Sequence, residues 1–195
     1  MTQKQKEIFS VPNIMSYSRI LLIPVFVYVY LRADTYRDYA VSGAIVAVSG
    51  LTDFLDGFIA RRFDMITELG KALDPVADKL TQAAVALCLM LRIPQMGWLV
   101  GVLIIKESFM GISAALLLQY NKKMDGSKWF GKVSTFIYYV VMSVLLFFPG
   151  LPASTNSMLI ALATVGLFVA FVMYIPIFIR MWSELRNTED RNTEE

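Results

Sequence analysis

Asp53 and Asp56 stand three residues apart, and Asp74 and Asp78 four apart, in a chain that is otherwise strongly apolar. On helices these spacings put each pair on one face, about a turn apart. A short loop separates the two pairs, so antiparallel neighbouring helices would bring all four carboxylates together. Four bare anions that close repel one another, and each is costly at membrane depth, so something positive is expected between them. Hard oxygen ligands without histidine or cysteine favour Mg²⁺, Mn²⁺ or Ca²⁺, and a cluster of this size can hold two ions. Two-metal sites commonly serve phosphoryl chemistry. Gly57, Ala60 and Gly70 are small enough to let a ligand or a neighbouring helix approach the backbone. Arg61 follows on the side of Asp53 and Asp56, where its fork can hold a phosphate. Asp64, Glu68 and Lys71 lie in or beside the loop and are expected to be solvated.

The elements that must carry these residues are membrane helices. The chain has 195 residues, 56% of them hydrophobic, with a mean hydropathy of +0.56, a composition that excludes an ordinary soluble domain. Each crossing needs about twenty mostly apolar residues. Six segments qualify, at 13–32, 40–61, 71–92, 96–120, 130–149 and 156–180, giving an all-α integral membrane protein. The apolar stretch after the basic start runs on without a small-residue cleavage site and reads as the first span, with no signal peptide expected. No internal repeat or low-complexity stretch interrupts the spans, and "SELRNTEDRNTEE" reads as a polar, frayed tail over 183–195, outside a membrane domain of 1–182.

Several function classes fall away on composition. Histidine is absent and Cys88 is the single cysteine, which excludes disulfide frameworks, zinc fingers and Cys-His nucleophile pairs. Net charge is +2 and no basic-aromatic array suggests nucleic acid. The basic residues are unevenly placed. Lys4, Lys6, Arg61, Arg62, Lys71, Lys122, Lys123, Lys128 and Lys132 fall on one side with further arginines, against Arg32, Arg37 and Arg92 on the other. Lys and Arg in short loops mark the cytoplasmic side, so both termini and all four aspartates are expected there. A purely structural role for the aspartates, salt-bridged to Arg61, Arg62 or Lys79, is one alternative. An ion-coupled transporter is another, although such sites lie near the bilayer midplane and often in repeated halves.

Written with its gaps, the stretch is Asp53, two residues, Asp56-Gly57, two residues, Ala60-Arg61, eight residues, Gly70, three residues, Asp74, three residues, Asp78. This resembles the signature of the CDP-alcohol phosphotransferases (CDP-alcohol phosphatidyltransferases), and eight positions at fixed gaps make the match specific. The resemblance implies six membrane helices preceded by a short amphipathic interfacial segment, for which residues 2–12 are available. It also implies transfer of a phosphatidyl or similar group from a CDP-linked donor to an alcohol, with release of CMP. On that resemblance Asp53, Asp56, Asp74 and Asp78 would bind two divalent cations, Mg²⁺ or Mn²⁺, and Asp78 would also act as the base. Gly57, Ala60 and Arg61 would line the CDP pocket with Gly70 close by, and the enzyme would be a homodimer of the bacterial inner membrane.

"VPNIMSYSRILLIPVFVYVYL" and "LGKALDPVADKL" are most similar to the bacterial branch of that family that makes phosphatidylglycerophosphate from CDP-diacylglycerol and glycerol 3-phosphate. Asn13 and Arg19 could then approach the pyrophosphate, or Arg19 could snorkel to the surface. Lys106 and Glu107, charged in the middle of a span, and Lys132 are candidates for binding a phosphorylated acceptor, although Lys106 could simply pair with Glu107 or Asp78. That branch usually carries Arg-Glu where this chain has Lys106-Glu107, and lysine is a point charge rather than a fork. Cardiolipin synthesis, with phosphatidylglycerol as acceptor, therefore stays open beside it.

Overall fold

The structure is a computed structural model and describes residues 10–63, 65, 67–119 and 128–193. Six helices account for nearly all of them: α1 Val11–Leu31, α2 Tyr36–Arg62, α3 Glu68–Arg92, α4 Met96–Gln119, α5 Trp129–Phe147 and α6 Ala153–Thr193. Their bounds follow local chemistry. Pro12 in the first turn of α1 fits a position whose N–H would be unsatisfied anyway. α2 opens on a capping box, in which Thr35 Oγ1 accepts from the Asp38 N–H while the Asp38 carboxylate accepts from the Thr35 N–H at 2.9 Å. Thr67 caps α3 by accepting from the Gly70 N–H at 2.9 Å.

Five of the six are long and apolar enough to cross a membrane. α3 is the exception by composition, because Asp74, Asp78 and Lys79 sit in its first half and Arg92 ends it. The chain is thus a multi-pass, all-α membrane protein. Large apolar side chains turned outward, such as Leu21, Leu91 and Phe136, match a lipid solvent. Of the expected interfacial segment, Val11 and Pro12 belong to α1 and residues 2–9 lie outside the described residues. The polar end of the chain differs from expectation: α6 continues helically to Thr193, and no glycine or proline follows Pro176 to stop it.

The chain divides into two compact units. The first runs to Pro94 and takes in Met142–Gly150. Within it α1 packs against both α2 and α3. At the end away from the N-terminus of α1, Arg92 donates to the Ala33 carbonyl at 2.6 Å and lies over the rings of Tyr30 and Tyr39. That contact ties the last turn of α3 to the α1–α2 turn. In the second unit α4 packs on α6 around buried Leu117, Tyr174 and Phe178, with the Phe109 ring edge-on to Phe178 at 5.4 Å.

Candidate active site

α1 carries Asn13, Ser16 and Arg19, each three residues after the last and therefore on one face. All three are buried, at 0%, 0% and 2% exposure. Buried polar groups in a membrane helix must find partners in protein, and each of these reaches a different part of the charged stretch. The Asn13 Oδ1 accepts from the Thr67 hydroxyl at 3.0 Å, which latches the start of α1 to the cap of α3. Ser16 Oγ donates to Asp74 Oδ1 at 2.6 Å. Arg19 spans the α2 pair, with Nη1 2.6 Å from Asp53 Oδ1 and Nη2 2.5 Å from Asp56 Oδ2.

Something positive does sit against the α2 pair, and it comes from α1. Arg19 does not snorkel: it is buried, with its two carboxylates as counterions. Among the described residues its Nε has no hydrogen-bond partner, and Nη1 meets Asp53 as an ion pair without hydrogen-bond alignment. Asp56 is enclosed at 3% exposure while Asp53 is half open at 51%. Asp74 and Asp78, both half-buried on α3, are near enough to Asp53 to act on it electrostatically.

Ala60 is half-buried in the last turn of α2, and Gly70 is buried at the start of α3. Gly57 and Arg61 are helical in backbone; the surroundings of Gly57, the side chains of Arg61, Glu68 and Lys71, and Asp64 lie outside what the structure describes. Lys106, Glu107 and Lys132 belong to the second unit. Lys106 is buried and pairs with Glu107 at 2.7 Å, the bland alternative of the two expected, and Lys132 is exposed.

The model of the CDP-alcohol phosphatidyltransferase family matches residues 9–182. The chain belongs to this family. It is similar to the CDP-diacylglycerol–glycerol-3-phosphate 3-phosphatidyltransferase of Escherichia coli (strain K12), 31% identical over 147 residues, covering 73% of this chain and 80% of that protein. The protein of the same description from Shigella flexneri serotype 5b (strain 8401) matches to the same extent. As a CDP-alcohol phosphatidyltransferase the chain is a membrane enzyme of phospholipid synthesis, and a transporter is no longer a rival reading.

The donor set of this phosphatidyltransferase fits a divalent cation in kind: carboxylate oxygens only, with Arg19 offsetting one negative charge of the four. As placed, Asp53 and Asp56 hold Arg19 and Asp74 holds Ser16, and among the described residues no three acidic groups converge at ligating distance.

Two participants were missed in the sequence, Ser16 and Thr67. The signal for Ser16 was its register between Asn13 and Arg19; that for Thr67 was a threonine three residues before the glycine whose N–H it caps. Gly70 is required by the same latch, since a Cβ there would stand 2.7 Å from Asn13 Oδ1 and 3.0 Å from Thr67 Oγ1. Gly70→Ala is expected to part that hydrogen bond and to cost about 1–3 kcal/mol as an overpacked site. Thermal unfolding in detergent checks it, with Gly70→Ala falling below wild type.

Proposed function

We propose that this phosphatidyltransferase moves the phosphatidyl group of CDP-diacylglycerol to glycerol 3-phosphate, giving phosphatidylglycerophosphate and CMP. The observation that carries the reading is the polar face of α1 gripping carboxylates from both α2 and α3, beside which an apolar groove begins. That groove runs between α1 and α3 past Ile20, Val27, Leu80, Ala84 and Leu87, with a volume of about 550 Å³. From Ile20 to Leu31 it follows α1 for about 16 Å at 1.5 Å per residue, long enough to shelter an acyl chain. A donor with a charged diphosphate and fatty chains matches a carboxylate cluster adjoining a greasy channel. The names of the two relatives supply the acceptor.

In this proposal Asp53, Asp56, Asp74 and Asp78 hold two divalent cations, Mg²⁺ or Mn²⁺. When bound, such ions neutralise the diphosphate and the leaving CMP. Asp78 takes the proton of the acceptor hydroxyl, whose oxygen forms a bond to the lipid-side phosphorus as the bond from that phosphorus to the CMP oxygen breaks. Gly57, Ala60, Arg61 and Gly70 line the CDP pocket. Asn13 and Arg19 face the same region, and the unpartnered Nε of Arg19 is a donor suited to a phosphate oxygen. Lys106, Glu107 and Lys132 are assigned to the acceptor on charge alone. The enzyme is placed in the bacterial inner membrane as a homodimer, with termini and site cytoplasmic on the lysine and arginine count, and with residues 1–182 as the membrane domain.

Purified protein given CDP-diacylglycerol with either glycerol 3-phosphate or phosphatidylglycerol is expected to make lipid product only with the first. Cardiolipin formed from the second, with nothing from the first, would overturn the acceptor while leaving the donor half of the proposal standing.

A further inference from the structure

The Ser16 hydroxyl has one proton and two acceptors in reach. Asp74 Oδ1 lies at 2.6 Å and the Pro12 carbonyl, one helical turn back, at 3.1 Å. The shorter contact is to the charged acceptor, where a hydroxyl hydrogen bond is strongest. Ser16 itself is fully buried, so the bond is shielded from water. Asp74 has no second hydrogen-bond partner among the described residues. Its neighbours on the other helix are different: Asp53 and Asp56 are both held by Arg19.

A carboxylate on a helix can swing about two side-chain bonds, and a single buried donor at one oxygen removes that freedom. We propose that Ser16 is a positioning residue for Asp74: its hydroxyl pins Oδ1 and so presents the other oxygen in a fixed direction to a divalent cation. Ser16 does not touch the cation or the reacting phosphate; it acts through Asp74. The inference rests on the reading that Asp74 is a cation ligand. Were Ser16 only a buried serine satisfied by its own helix, as serines in membrane helices often are, the Pro12 carbonyl would suffice and the Asp74 contact would carry no consequence.

The test is Mn²⁺ binding to purified protein in detergent, followed by the loss of the free-ion electron paramagnetic resonance signal, together with the Mn²⁺ dependence of CMP release. Ser16→Ala is expected to weaken Mn²⁺ binding and raise the half-activating Mn²⁺ concentration by roughly tenfold to a hundredfold, the usual consequence of removing a group that orients a metal ligand. Activity at saturating Mn²⁺ is expected to recover much of its wild-type value. Ser16→Thr and Ser16→Val give a matched pair, alike in shape and differing in the hydroxyl, so any crowding in this buried position is common to both. The threonine variant is expected to bind Mn²⁺ more tightly than the valine variant by a similar factor. Equal Mn²⁺ affinity in Ser16→Ala and wild type, or in the threonine and valine variants, would overturn the positioning role while leaving the proposed function intact. A wild-type protein that releases CMP but binds no Mn²⁺ would overturn both Ser16 and the metal reading.

Discussion

Asp78→Asn is expected to abolish CMP release, lowering turnover by at least roughly a hundredfold to ten-thousandfold, the range attributed to a positioned general base. The substitution keeps the shape of the side chain and removes the proton acceptor that the proposed mechanism assigns to Asp78. In the same proposal it also weakens one oxygen ligand of a set that has no histidine or cysteine to compensate. The loss is expected in turnover with the fold intact, because Asp78 is only half-buried on a helix whose cap, Thr67, lies well before it. Radiolabelled CMP release, with circular dichroism to verify helix content, separates the two. Ordinary turnover in Asp78→Asn would remove Asp78 from the mechanism.

The second large effect concerns Arg19. In the absence of added metal, Arg19→Ala leaves Asp56 buried beside Asp53 without the guanidinium that both grip. Breaking a buried ion pair from one side typically costs 3–5 kcal/mol. Because Asp53 is 51% exposed, solvent screens its share, and about 3 kcal/mol is the better expectation. For a chain of this size that corresponds to a melting temperature lower by roughly 6–12 °C. Mn²⁺ is expected to restore part of the difference, since a cation binding only the native state stabilises it in proportion to its affinity. A melting curve unmoved by Arg19→Ala would mean that the grip on Asp53 and Asp56 is not part of what holds α1 to α2.

The helices were legible because membrane crossing demands long apolar runs, and α1, α2, α4 and α5 each begin or end within a few residues of the expected spans. The end of α6 was not, since polar composition says that a segment is solvated without saying whether it stays helical; only a breaker would have said that, and none follows Pro176. The spacing of Asp53 and Asp56 on one helix and of Asp74 and Asp78 on the next put each pair on one face, and α1 does meet carboxylates of both, through Arg19 and Ser16. The partners of Arg19 were not legible, because its contact to Asp56 joins residues 37 apart and nothing local marks it. Ser16 was hidden for a different reason: a serine in a membrane helix ordinarily bonds its own backbone, and only its place between Asn13 and Arg19 on one buried face distinguishes it. The sequence also left Arg19 two roles, surface or phosphate, and burial against two carboxylates removes the first.

The most direct test of the account is metal-dependent CMP release by the purified protein from CDP-diacylglycerol and glycerol 3-phosphate. Release that is absent in chelator, restored by Mg²⁺ or Mn²⁺, and accompanied by one phosphatidylglycerophosphate per CMP is the predicted result. CMP release that persists undiminished in chelator, or no release with either metal, would contradict a cation-loaded aspartate cluster as the centre of this enzyme.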